Sequence, residues 1–196
     1  MYDSTHENVV TKIQSPDEKA VVLTFDDGPS RLLPRFLDVL KQENVPAVFF
    51  WQTRLLHPQR PWQRVLDEGH IIGSHTVKHR NLVELPKEEQ YKDIKNSITA
   101  IEQITGSHVR FFRPPYGRFN AETLQVTEQL SLTPVMWKIA SMDWELKNDP
   151  ERLIANVTEN LENGAVILLH ELPQTLEALP GLIAAIKERG YGFKLL

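Results

Sequence analysis

Short apolar runs alternate along the chain with longer stretches in which apolar side chains recur every three or four positions. The runs fall at 20–25, 45–50, 70–74, 109–113, 134–139, 165–169 and 192–195, each of strand length. Between them the spacing predicts helices at about 31–43, 60–68, 86–105, 120–131, 149–162 and 174–189. In the longest, Ile94, Ile98, Ile101 and Ile104 repeat at helical spacing. Pro86, Glu88 and Glu89 suit its first turn and Gly106 its end. Asp149-Pro150-Glu151 opens a later helix in the same way, and Arg189-Gly190 closes the last.

Runs that are apolar throughout belong to strands covered on both faces, as in a parallel sheet with crossover helices. The alternation continues without a break in composition, which predicts a single α/β domain at 20–196 behind an N-terminal extension at 1–19. About 28 residues per unit is short for an eightfold barrel, so a smaller, distorted (β/α)7-type barrel is expected.

Composition narrows the chemistry. With 41% apolar and 24% charged residues among 196, the chain is an ordinary globular one. Its 22 basic against 26 acidic residues leave a net charge of −4, which gives no reason to expect a nucleic-acid or anionic-membrane partner; a monomer is expected. There is no cysteine, so disulfides, thiolate metal sites and cysteine nucleophiles are excluded, and any metal must use His, Asp, Glu or water. The apolar runs are too short to insert in a membrane. Met1-Tyr2-Asp3-Ser4-Thr5-His6-Glu7-Asn8 carries acids where a signal peptide needs bases and an apolar run. As written, the chain reads as cytoplasmic; with a leader removed, it would belong to the cell wall or be secreted.

In a parallel barrel, reactive side chains gather at the C-terminal ends of the strands. Asp26-Asp27-Gly28 follows the first run, His75-Thr76-Val77-Lys78-His79 the third and Arg113-Pro114-Pro115-Tyr116-Gly117 the fourth. Asp143-Trp144 and His170-Glu171 follow the fifth and sixth. Asp26 and Asp27 fit either a turn or a division of labour, one carboxylate on a metal and the other free as a base. His75 and His79, four apart, would share a face of a helical turn, and a nearby Asp would complete a two-His, one-carboxylate metal site. Arg113 is either a surface ion-pair residue or the orienter of a carboxylate. The prolines beside it stiffen a loop whose backbone N–H near Tyr116 could serve as an oxyanion donor. His170 is either a hydrogen-bonded core histidine or, beside Asp143, a general acid, with Trp144 as its shield or as plain core. His6, His57, His70 and His108 read as loop or surface residues, and Trp51 and Trp62 as a sugar-stacking platform or core.

Taken together, the clusters resemble the polysaccharide deacetylases of carbohydrate esterase family 4, the NodB homology domain. The resemblance rests on Thr24-Phe25-Asp26-Asp27-Gly28, His75-Thr76-Val77-Lys78-His79, Arg113-Pro114-Pro115-Tyr116-Gly117, Asp143-Trp144 and Leu168-Leu169-His170, in the family's order over roughly 20–195. Gly69-His70-Ile71-Ile72-Gly73-Ser74-His75 is similar as well. It implies a distorted barrel with one divalent metal, Zn2+ first and Co2+, Ni2+ or Mn2+ tolerated, held by Asp27, His75 and His79. It further implies Asp26 as the base for an attacking water and His170 as the acid for the departing amine. Arg113 would orient Asp26, and Asp143 would tune His170 behind the Trp144 shield. The Tyr116 backbone N–H, next to Pro115, would hold the oxyanion.

The implied reaction removes N-acetyl groups from N-acetylglucosamine-containing glycans, either peptidoglycan or chitin-like oligomers. The same site would suit acetate esters or small amides, and a glycan-binding pseudoenzyme is the reading from another class. Three positions depart from the family pattern: Ala140 and Glu171 stand where Asp is usual, and Trp51-Gln52-Thr53-Arg54 lacks the usual glycine.

Overall fold

The computed structural model describes residues 6–15 and 18–196. Residues 1–5 and 16–17, and the parts of the N-terminal reading that fall on them, lie outside the described residues. In chain order the elements are β1 (Ala20–Gly28), α1 (Leu33–Glu43), β2 (Ala47–Trp51), α2 (Trp62–Asp67), β3 (Ile71–Ser74), α3 (Lys87–Thr105) and β4 (Phe111–Phe112). There follow α4 (Ala121–Gln129), β5 (Thr133–Pro134), β6 (Ile139–Ala140), α5 (Pro150–Thr158), β7 (Val166–His170), α6 (Pro173–Glu188) and β8 (Gly192–Phe193). The strands pair in the order β5-β4-β3-β2-β1-β7-β6, all parallel, and β8 pairs with the start of β1. The expected α/β barrel is thus a curled, parallel seven-strand half-barrel.

Strand periodicity sorts the two sides of the sheet. From β1, Val21, Leu23 and Phe25 join the large cluster that also contains Leu37 and Leu40 of α1 and Leu179, Leu182 and Ile183 of α6. Val22 turns the other way, into a smaller cluster with Val48, Phe50, Val135 and Val166. Thr24 and Asp26 continue that inner face, so β1 runs from an apolar base to a polar end. Caps follow the expected chemistry: Asp149 accepts from the Arg152 N–H at the start of α5, and Gly106 ends α3 in the left-handed region at φ 69°.

The run at 134–139 does not form one strand. It divides into β5 and β6, which lie at opposite ends of the sheet, because the chain turns from the β4 side to the β7 side within it. Residues 10–13 occupy the seam between those ends. Val10 donates to Pro134 O and accepts from Met136 N–H, while Ile13 donates to Gly164 O and Thr11 accepts from Val166 N–H. No helix among the described residues is long and apolar enough to cross a membrane.

The structure decides one open alternative and corrects two expectations. Trp51 is fully buried and donates its indole N–H to Glu171, and Trp62 packs partly buried against the core, so they form no sugar platform. His75 to His79 form a loop rather than a helical turn, with Thr76 and His79 in the left-handed region. His70 is a core residue, whereas His6, His57 and His108 are exposed as expected. Its Nδ1 accepts from the Ala47 N–H at 3.1 Å, so the ring proton sits on Nε2, which makes no hydrogen bond.

Burial lowers the His70 pKa to about 4, with Glu68 opposing and Arg64 reinforcing the shift. The folded chain therefore resists a proton that the unfolded chain accepts near pH 6.5. Stability is complete above that value and falls, by up to about 3 kcal/mol, as the pH drops toward 4. His70→Asn keeps an acceptor for Ala47 and flattens this acid slope in urea midpoints measured between pH 7 and 4. An unchanged slope would remove His70 as its source.

Candidate active site

A cavity of about 450 Å³ opens at the C-terminal ends of the strands, lined by Asp26, Asp27, His75, His79, Tyr116 and His170 among polar groups, with Trp137, Trp144, Leu168 and Leu172 as apolar wall. Asp26 and Asp27 diverge because the register with β2 shifts between Asp26 and Gly28 and Asp27 adopts φ 67°. Asp26 stays on the inner face of β1 and is buried. Asp27 swings toward the histidine loop. Gly28 is required beside them, since a Cβ there would collide with the Glu171 carboxylate.

Asp26 is held by Arg113, which is fully buried, not at the surface. Arg113 Nη1 donates to Asp26 Oδ1 at 2.8 Å and to Thr24 Oγ1 at 2.7 Å. Its Nε and Nη2 reach the carbonyls of Val135 and Met136, and its plane covers the Phe50 ring at 4.2 Å. Burial lowers the Arg113 pKa, and the Asp26 charge opposes that shift. Four of the five donors of a rigid fork are thereby spent on four acceptors while its plane stacks on a ring, a role that Lys could not fill.

A second pair lies one strand away, where His170 of β7 registers with Asp26 of β1. His170 Nδ1–H donates to Asp143 Oδ1 at 2.7 Å. Asp143 Oδ2 accepts from the His170 backbone N–H at 2.7 Å and from Thr175 Oγ1 at 2.6 Å, and Gln174 holds the Asp143 carbonyl. Burial alone would lower the His170 pKa, but Asp143, Asp26 and Asp27 together raise it. Half-exposed Trp144 stands edge-on to the His170 ring, 5.3 Å between centroids.

Asp27, His75 and His79 bring one ligand atom each within 4.8 Å of one another. Asp27 Oδ1 lies 3.8 Å from His75 Nε2 and 3.5 Å from His79 Nε2. Those spacings are near the ~3.3 Å that two ligands of a tetrahedral zinc require. The donor set also fits chemically. His75 Nδ1 faces the Arg113 carbonyl at 2.7 Å, which can only accept, so Nε2 is left with its lone pair toward the cluster. Burial would raise the Asp27 pKa, yet the imidazoles of His75, His170 and His79 and the Gln52 amide hold it below the usual carboxylate value. Desolvation and the neighbouring His75 keep His79 below its ordinary value, favouring a neutral ligand.

Pro115 and Gly117 flank an exposed Tyr116 at φ 59° and ψ 11°, so a non-glycine residue is held left-handed at the cavity wall. A sequence model of the polysaccharide deacetylase family matches residues 13–135. The chain belongs to the polysaccharide deacetylase family. A chitooligosaccharide deacetylase of Azorhizobium caulinodans is 33% identical over 92% of this chain and 94% of its own length. The peptidoglycan-N-acetylglucosamine deacetylase PgdA of Listeria monocytogenes is 34% identical over 89% of the chain, which spans only 37% of that protein. The crystal structure of BA3943, a pseudoenzyme of carbohydrate esterase family 4 from Bacillus anthracis, superposes with a TM-score of 0.85 at 28% identity, over 94% of this chain and 66% of that one. Polysaccharide deacetylases are hydrolases, and the half-barrel is their fold.

The polar lining residues are all candidates in the sequence; of the apolar wall, Trp137 and Leu172 are not, since such residues read as core, and Leu168 enters through the motif that ends in His170. Glu171 does not line the cavity. It is buried, accepts from Ser30 N–H and Trp51 Nε1, and has its pKa raised by burial. Ala140 borders a separate cavity of about 140 Å³ with Met142 and Asn156.

Proposed function

We propose that this polysaccharide deacetylase removes N-acetyl groups from N-acetylglucosamine units of peptidoglycan or chitin-like oligosaccharides in a divalent-metal-dependent reaction. The observation that carries the reading is the presence of two carboxylate–cation pairs, Asp26 with Arg113 and Asp143 with His170, whose members Asp26 and His170 are in register on neighbouring strands, beside the Asp27–His75–His79 cluster. A divalent ion held by that cluster, Zn2+ first and Co2+, Ni2+ or Mn2+ as alternatives, supplies Lewis acidity toward water and a carbonyl oxygen.

Asp26 takes the proton of the attacking water. Its Oδ1 is committed to Arg113, which leaves Oδ2 for that purpose. His170 is oriented through Nδ1, so Nε2 carries the proton delivered to the departing amine. The Tyr116 N–H is aimed at the developing oxyanion by Pro115 and the left-handed backbone. Tyr116 and Trp144 offer exposed rings for the sugar faces. Acetate and a free amine are the products.

Hydrolysis of acetate esters or small amides would use the same groups. The reading from another class, a glycan-binding pseudoenzyme, draws on Ala140 and on the likeness to BA3943. Ala140 lies outside the cavity lining, and the base and acid candidates are both present, which favours turnover.

Acetate release from N-acetylglucosamine oligomers is the deciding measurement. Release is expected, lost on chelation and regained with Zn2+ or Co2+. Release from an activated ester alone would redirect the reading to an esterase. No release with any metal, from oligomers, peptidoglycan or ester, would replace it with the pseudoenzyme.

A further inference from the structure

We propose that Gln52, with Arg54 behind it, is the positioning residue of the Asp27–His75–His79 cluster and sets how tightly that cluster holds a divalent cation. The inference rests on the metal-site reading above and concerns the Trp51–Arg54 stretch, which lacks the family's usual glycine. Gln52 is buried, and its Nε2 donates to Asp27 Oδ1 at 2.6 Å. That oxygen is also the one nearest the two histidine Nε2 atoms. Arg54 Nε donates in turn to Gln52 Oε1 at 2.8 Å. A flipped amide would set oxygen against carboxylate and NH2 against guanidinium, so the charged neighbours fix its orientation.

The backbone of the same three residues joins the loops that carry the ligands. Gln52 N–H donates to Gly28 O, one residue beyond Asp27. Thr53 N–H donates to Thr76 O and Arg54 N–H to Val77 O, both inside the histidine loop. His75 N–H closes the set on Trp51 O. Asp27, at the register shift of β1, and His79, in its loop, are both left-handed, so neither side chain has the orientation a regular ladder would give it. One short segment therefore ties the end of β1 to the histidine loop, which Asp93 and the Arg113 carbonyl support from its other side. Its side chains reach a candidate ligand through the Gln52–Asp27 hydrogen bond.

Outer partners of metal ligands typically alter affinity by about 10–100-fold. Gln52→Leu removes donor and acceptor at similar volume, and we expect Zn2+ affinity, measured by competition with a chromogenic chelator, to fall by about 10–100-fold. The Co2+ absorption bands should shift as Asp27 loses its fixed orientation, a change that a purely structural role would not produce. Arg54→Ala, at an exposed position, should weaken Zn2+ binding less but in the same direction, and it decides the matter if Gln52→Leu does not fold. Wild-type affinity and an unshifted Co2+ spectrum in the folded variants would overturn the inference and leave the metal site standing. A wild-type protein that binds neither ion would overturn both.

Discussion

Asp26→Asn should keep divalent-cation binding while losing about 10²–10⁴-fold in kcat on an N-acetylated oligomer. The substitution is nearly isosteric, and Arg113 and its Nη1 donor dictate how the new amide sits. Its oxygen stays toward Arg113, and the NH2 group takes the position of Oδ2, where it cannot accept a proton. The geometry makes this a sharp test, because His75 Nε2 is 3.8 Å from Asp26 Oδ2 and equally 3.8 Å from Asp27 Oδ1. His79 breaks the tie by approaching Asp27. Loss of cation affinity together with rate would make Asp26 a ligand; a near-normal rate would remove it as the base. Competition titration and steady-state kinetics on one preparation separate the three outcomes.

Arg113→Met should destabilise the fold by about 3–5 kcal/mol, read as a shift of the urea midpoint. The cost arises from what is left behind. Asp26 would remain buried as a charge without its cation, and the carbonyls of Val135 and Met136 would lose their donors. Adding Asp26→Asn to Arg113→Met should recover part of the loss, since the two residues share one interaction. A midpoint shift worth under about 1 kcal/mol would mean that water reaches the pair and screens it.

Much of this was legible from the chain. The strands β1, β2 and β7 announce themselves because both of their faces are covered, and the polar residues ending them stand out against that background. Helix ends were equally plain where Pro150, Gly106 and Gly190 act through backbone geometry. What the pattern could not express was pairing between distant segments. The single strand expected at 134–139 breaks because its two halves find different neighbours, one of them at residue 10. His70 looked polar and therefore external, but Ala47 supplies a backbone donor that makes a neutral imidazole acceptable inside. The i,i+4 spacing of His75 and His79 suggested a helix, whereas the left-handed residues Thr76 and His79 reach the same proximity in a loop. Gln52 carried no signal beyond standing in the Trp51–Arg54 stretch that lacks the family's usual glycine.

The seam has a consequence for the order of assembly. Val10 pairs with residue 135, Lys12 with Ala165, and the first residues of β1 with Gly192 and Phe193. Each of these early pieces waits for a much later one. Asp26 and Asp27 precede His170 and the α6 residues that hold Asp143 by more than 140 residues. Contacts so distant in sequence close late, after the local helices have formed. No fragment that stops short of β7 and α6 can therefore hold the complete mouth.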